Sequence, residues 1–162
     1  MGYAPRAMSE HRAAIRWKNP NPGPDFLKGK YSREHTWTFD GGLTVPASPA
    51  PSVVPAPWSN AAHVDPEEAF VASIAICHFL TFVFVASRRG FQVDAYEDDA
   101  VGEMKKNERG VPWVARVVLS PSVTYGAEKR PSRDQEAELH HLAHEQCFIA
   151  NSVKTEIIVS GR

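Results

Sequence analysis

The chain has 162 residues, of which 43% are hydrophobic and 23% charged, so it has enough material for one globular domain with a sizeable core. Its 18 basic and 19 acidic residues leave a net charge of −1, which argues against nucleic acid or a polybasic membrane contact as partners. Met1 to Met8 hold no apolar run, so no secretory signal is expected and the cytoplasm is the default location.

Glu10 to Trp17 reads as a strand, because Ala13, Ile15 and Trp17 alternate with more polar neighbours. Asn19 to Pro24 is rich in proline and glycine and is read as a loop. His35 to Asp40 alternates again, with Trp37 and Phe39 on one face, and Gly41-Gly42 makes a tight turn into Leu43 to Val45. From Pro46 to Pro57 the proline density excludes a helix or a central strand, so a surface loop is expected.

Pro66 to about Arg88 carries the strongest helix signal. Asp65 is placed as N-cap, Pro66 is at the first helical position, and Glu68 completes a capping box. Arg88 and Arg89 suit the negative end of the helix dipole, and Gly90 stops the helix. Ala69 to Ala86 is apolar almost all round, which predicts burial on most sides, part of it by another subunit. The run is at the short end of what spans a bilayer, and Ser73, His78 and Thr81 interrupt it, so a core helix is expected and no membrane partner.

Phe91 to Lys106 and Trp113 to Tyr125 read as two long strands, joined into a hairpin by Asn107 to Gly110. Ser132, with Gln135 three residues on, caps a second helix that runs to about Gln146. Val153 to Ser160 ends the chain as a strand, with Val153, Thr155, Ile157 and Val159 on one face. This order of elements means an α+β fold, read as a single domain over residues 1–162.

Two cysteines, Cys77 and Cys147, are too few for a disulfide scaffold. Cys77 falls in the middle of the apolar helix, where a thiol is inert unless a cation or donor and an access route reach it. His140, His144 and Cys147 share one face of the second helix, a set that suits zinc, yet no second ligand pair exists elsewhere. The alternative is a polar helix face. Glu67 sits at the positive end of the long helix, where a carboxylate ordinarily does no more than offset the dipole. Ten residues of helix separate it from Cys77, about 15 Å of rise. If the two cooperate, a second chain must supply one of them.

Asp65-Pro66-Glu67-Glu68-Ala69-Phe70, followed by Ser73 to Cys77, resembles the cysteine helix of the OsmC/Ohr family. His144 to Ser152 resembles that family's second cysteine motif, and the order of elements also matches. Tyr31-Ser32-Arg33-Glu34-His35, Trp37 to Gly42, Cys77-His78 and Tyr96-Glu97-Asp98 look like one branch of it. The resemblance implies an intertwined homodimer with antiparallel sheets, a buried central helix and sites at the subunit interface. It also implies reduction of organic hydroperoxides or hydrogen peroxide by a cysteine pair and an external thiol, with no metal and no organic cofactor. On this mapping Cys77 is the peroxidatic cysteine and Cys147 resolves it, while Glu67 orients an arginine that holds Cys77 as thiolate. Arg33, in the turn Lys28 to Arg33, is the candidate arginine, and Lys28 is the alternative. His35 and His78 are additions to the site as other family members have it. A binding or stress-related protein without peroxidase activity, on the same scaffold, is the competing expectation.

Overall fold

A computed structural model describes residues 9–126 and 128–160, so Met1 to Met8, read above as lacking a signal, lie outside the described residues. The chain forms two compact units, residues 1–66 and 67–162.

The first unit is a three-stranded antiparallel sheet of β1 (Ala13–Arg16), β2 (His35–Phe39) and β3 (Thr44–Ala47), with β2 in the middle. Ile15 pairs with Trp37, and Trp37 with Val45, so the alternation read from the sequence sets the register. Gly42 closes the β2–β3 turn at φ 87°, a left-handed conformation that suits glycine. A 3-10 turn, Phe26–Lys28, lies between β1 and β2. β3 enters the proline-rich segment by two residues, with Pro46 opposite Thr36. Proline is tolerated there because β3 is the outer strand of the sheet.

The second unit takes in α1 (Pro66–Arg88) from Glu67 onward, and the bounds of this helix match those read from the sequence. At its C-terminus Gly90 is left-handed, Gly90 N–H bonds Ser87 O, and Phe91 N–H bonds Ala86 O. These two bonds are a Schellman motif, which satisfies carbonyls the helix itself leaves open. Ile74, His78, Phe82 and Val85 form the buried stripe. The expected burial on most sides is not what one chain provides: Ile76 and Leu80 are 55% and 57% exposed. The reason is geometric, since the single chain packs only one side of this helix. By length and composition α1 could cross a membrane. Here it is a core helix, entering one apolar cluster through Phe82, Val85 and Ala86 and a second through Ile74.

The predicted long hairpin is folded into two pieces. β5 (Val101–Lys106) pairs with β6 (Pro112–Leu119), whereas β4 (Val93–Asp98) pairs with β7 (Pro121–Tyr125) in a separate sheet. The corner is pinned by Ser120 N–H bonding Asp98 Oδ1 at 2.7 Å. β8 (Glu156–Val159), shorter than expected and preceded by a 3-10 turn at Ala150–Ser152, joins β6 in parallel. The sheets are therefore antiparallel except at this strand, because the chain returns through α2 (Arg133–Gln146) and not through a hairpin. Ser132 caps α2 with the predicted box, its hydroxyl accepting from Gln135 N–H and Gln135 reaching back to Ser132 N–H.

β5 approaches α1 closely at Gly102, where an added Cβ would lie 2.5 Å from Val71 Cγ2. Valine is stiff at χ1 and cannot swing aside cheaply. Gly102→Ala is expected to cost about 1–3 kcal/mol. A chemical-denaturation midpoint equal to that of wild type would contradict this packing.

Candidate functional site

α1 and α2 present one cysteine each to the other. Cys77 leaves the middle of α1, and Cys147 caps the C-terminus of α2. Their sulfurs are 2.7 Å apart, both thiols are free, and Cys147 donates to Cys77. A disulfide requires cysteines whose Cα atoms can approach within about 7 Å, and sulfurs in contact meet that need with little movement. The two thiols differ in environment. Cys147 is 1% exposed, while Cys77 is partly open. Burial pushes the Cys147 thiol up to about 11, and its bond to Cys77 adds to the rise. The pair is thus asymmetric, with one accessible sulfur backed by a buried thiol that keeps its proton.

The turn after α2 reaches the same atoms. Ile149 N–H points at Cys77 Sγ at 3.5 Å, and Ala150 N–H at Cys147 Sγ at 3.3 Å. Asn151 holds this turn by donating to Glu145 O and Cys147 O, each at 2.9 Å. Ile149 anchors it by packing against the cluster of Ile74, Val117 and Leu119. No side-chain motif announces a backbone donor, so residue-by-residue reading missed these two groups.

A second α1–α2 pair lies beside the thiols. His78 Nε2 and His140 Nδ1 are 3.1 Å apart, with rings stacked at 5.4 Å and 9° between planes. Burial lowers both imidazoles to about 4, and for His78 the neighbouring His140 and His144 lower it further. Both are neutral at pH 7, so the histidine next to Cys77 supplies no positive charge to it. The zinc set read from the sequence does not assemble. Cys147 is turned to Cys77 and His140 to His78. Among the described residues no group of three histidine, cysteine or acidic side chains is placed to hold a metal.

Of the other candidates, Glu67 is half-buried in the first turn of α1, ten residues before Cys77. Arg33 and Lys28 belong to the first unit. Arg33 donates to Gly29 O and Tyr31 O, and its guanidinium lies 4.1 Å from the centre of the Tyr31 ring. Lys28 pairs with Asp25 at 3.3 Å on the surface. His35 is fully engaged. Its Nε2 accepts from the Trp37 indole at 2.7 Å, so its Nδ1 carries the proton and donates to Arg33 O at 2.8 Å. His35 thereby fixes the backbone that presents Arg33. Trp17, Phe26, Tyr31, Arg33, His35, Pro49 and Pro66 line a cavity of about 400 Å³ in this unit.

Residues 59–160 match the family model described as OsmC-like protein. An OsmC-like protein of unknown function from Vibrio cholerae shares 47% identity, with a TM-score of 0.91 over 96% of this chain and 100% of that one. An organic hydroperoxide resistance protein from Elizabethkingia anophelis, at 16% identity, has the same fold, with a TM-score of 0.70 over 96% of each chain. One from Bacillus subtilis, at 20% identity, has a TM-score of 0.66 over 96% of this chain and 100% of that one. No curated protein matches the chain.

Proposed function

The chain belongs to the OsmC-like protein family, and from its adjoining thiols we propose that it is a cytoplasmic thiol-dependent peroxidase for organic hydroperoxides or hydrogen peroxide. The observation that carries this reading is the 2.7 Å contact between an accessible Cys77 and a buried Cys147. The Cys77 thiolate attacks one peroxide oxygen. The O–O bond breaks, the alkoxide or hydroxide leaves with the electron pair and takes a proton from water to become the alcohol or water, and Cys77 keeps the other oxygen with its hydrogen as a sulfenic acid. Cys147 displaces that oxygen as water, and an S–S bond forms. An external thiol then reduces the disulfide, which suits a reducing compartment.

Glu67 and Arg33 complete the proposed site: Glu67 orients the guanidinium, and the guanidinium holds Cys77 as thiolate. Because about 15 Å of helix separates Glu67 from Cys77, they cooperate only across two subunits of a homodimer. The exposed Ile76 and Leu80 on α1 support such a dimer, since covering the exposed half of each is worth roughly 1 kcal/mol. The likeness of 96% of the chain to an OsmC-like protein supports treating residues 1–162 as one domain.

The test is consumption of cumene hydroperoxide and hydrogen peroxide with a dithiol reductant. Wild type consumes at least one of them well above the rate of Cys77→Ser; equal rates end the peroxidase reading. Arg33→Ala is expected to slow alkylation of Cys77 at neutral pH by roughly tenfold or more, the worth of one lost charge-assisted contact. Lys28→Ala leaves that rate unchanged. The reverse pattern moves the role to Lys28.

A second reading, a small-molecule-binding protein, draws on the aromatic cavity around Arg33. It predicts a ligand whose affinity is the same in Cys77→Ser as in wild type.

A further inference from the structure

Two features of the thiol pair set a chemical problem. The histidine beside Cys77 is neutral at pH 7 and stabilises no thiolate by charge. Cys147 is buried at the C-terminus of α2, where the helix dipole also disfavours a negative sulfur. Yet any cycle through a disulfide must place negative charge on each sulfur in turn. Besides the bond between the two thiols, the hydrogen-bond donors that meet these sulfurs among the described residues of the second unit are backbone amides. Ile149 N–H reaches Cys77 Sγ at 3.5 Å, and Ala150 N–H reaches Cys147 Sγ at 3.3 Å. They are consecutive, and both Asn151 and the Ile149 side chain hold the turn that carries them. Donors of this kind are fixed before the reaction and need no reorganisation when charge develops.

We propose that the 148–150 turn is a two-amide thiolate cradle, with Ile149 N–H stabilising the attacking Cys77 sulfur and Ala150 N–H stabilising Cys147 as the leaving group when the disulfide is reduced. This deepens the peroxidase reading and rests on it for the identity of the oxidant. In the reductive step an external thiolate attacks the more open Cys77 sulfur. A new S–S bond forms to the reductant, the Cys77–Cys147 bond breaks, and its electron pair goes to Cys147. That thiolate accepts the Ala150 N–H and is then protonated from water. A second reductant thiolate releases the mixed disulfide at Cys77. The two amides therefore act at opposite ends of the cycle.

The experiment replaces one amide at a time by an ester, incorporating the α-hydroxy acid of isoleucine at 149 or of alanine at 150 into the full chain. Each change deletes one N–H and keeps the side chain. Iodoacetamide alkylation at pH 7, resolved by peptide mapping, reads Cys77. Disulfide opening by dithiothreitol reads Cys147. The ester at 149 is expected to slow Cys77 alkylation by roughly tenfold or more, as for loss of a hydrogen bond to a charged group. The ester at 150 is expected to slow disulfide opening by a similar factor and to leave Cys77 alkylation near wild type. Esters without effect, or the ester at 150 slowing Cys77 alkylation as much as the ester at 149 does, overturn the cradle. Because neither readout uses peroxide, the cradle can hold in a protein that consumes no peroxide, and the two ideas fail separately.

Discussion

Cys147→Ser is expected to consume about one equivalent of hydroperoxide per subunit and then stop, whereas Cys77→Ser consumes none. The difference follows from the roles of the two sulfurs. Cys77 is the partly open thiol and Cys147 the fully buried one, so in the proposed cycle a peroxide is expected to meet Cys77 first. Without Cys147 the sulfenic acid has no neighbouring thiol to displace its oxygen, and it accumulates or is oxidised further. Turnover with a dithiol should fall by roughly three orders of magnitude or more in Cys77→Ser, as for loss of a nucleophile elsewhere. Trapping with a dimedone-type reagent and intact-protein mass spectrometry distinguishes the single-turnover product. Equal stoichiometric oxidation of both variants would rule out this division of labour.

Stability should fall steeply on the acid side of neutrality, and the His78–His140 pair should account for much of the fall. Above pH 6.5 both imidazoles are neutral in the folded and unfolded states, and they contribute no pH dependence. Below 6.5 the unfolded chain takes up protons that the folded protein refuses until pH approaches about 4. Acid therefore favours unfolding across that window. For His78, which is 1% exposed, the gap from 6.5 to about 4 corresponds to roughly 3 kcal/mol. His140 adds to this in the same direction. Asp98 works the other way, because burial raises its carboxyl and protonation at low pH then favours the folded state. Urea-denaturation midpoints at pH 7 and pH 4.5 measure the slope. Substituting both histidines, as His78→Leu with His140→Leu, should remove most of it while Asp98 is unchanged. A slope of the same size in the double variant would show that the pair is not its source.

The parts of the fold that sequence reveals are those specified locally. Pro66 and Gly90 bound α1, and Ser132 with Gln135 starts α2, because caps act within a turn of the residues that make them. The corner that splits the long hairpin depends on Asp98 meeting Ser120, twenty-two residues away, and an alternating pattern runs through such a corner without a mark. The parallel seat of β8 is likewise a matter of tertiary pairing. An apolar composition shows that α1 must be covered but not that one chain covers only the stripe of Ile74, His78 and Phe82. At the site, Cys77 and Cys147 stand out by their flanking motifs, but their contact spans seventy residues and depends on tertiary packing. By sequence His140 reads as part of a polar helix face or a zinc set. It is instead the buried partner of His78, a pairing that neither helix encodes alone.

The order in which the chain is made gives the parallel strand another consequence. β6 lies between β5 and β8, so one of its edges stays open until residues 156–159 arrive. The turn carrying Ile149 and Ala150 runs between α2 and that last strand. Cys77 is therefore translated long before Cys147, the two amides and β8, and during synthesis it leaves the ribosome without them. The thiol that stays partly open in the finished protein is also the one that a nascent chain exposes longest.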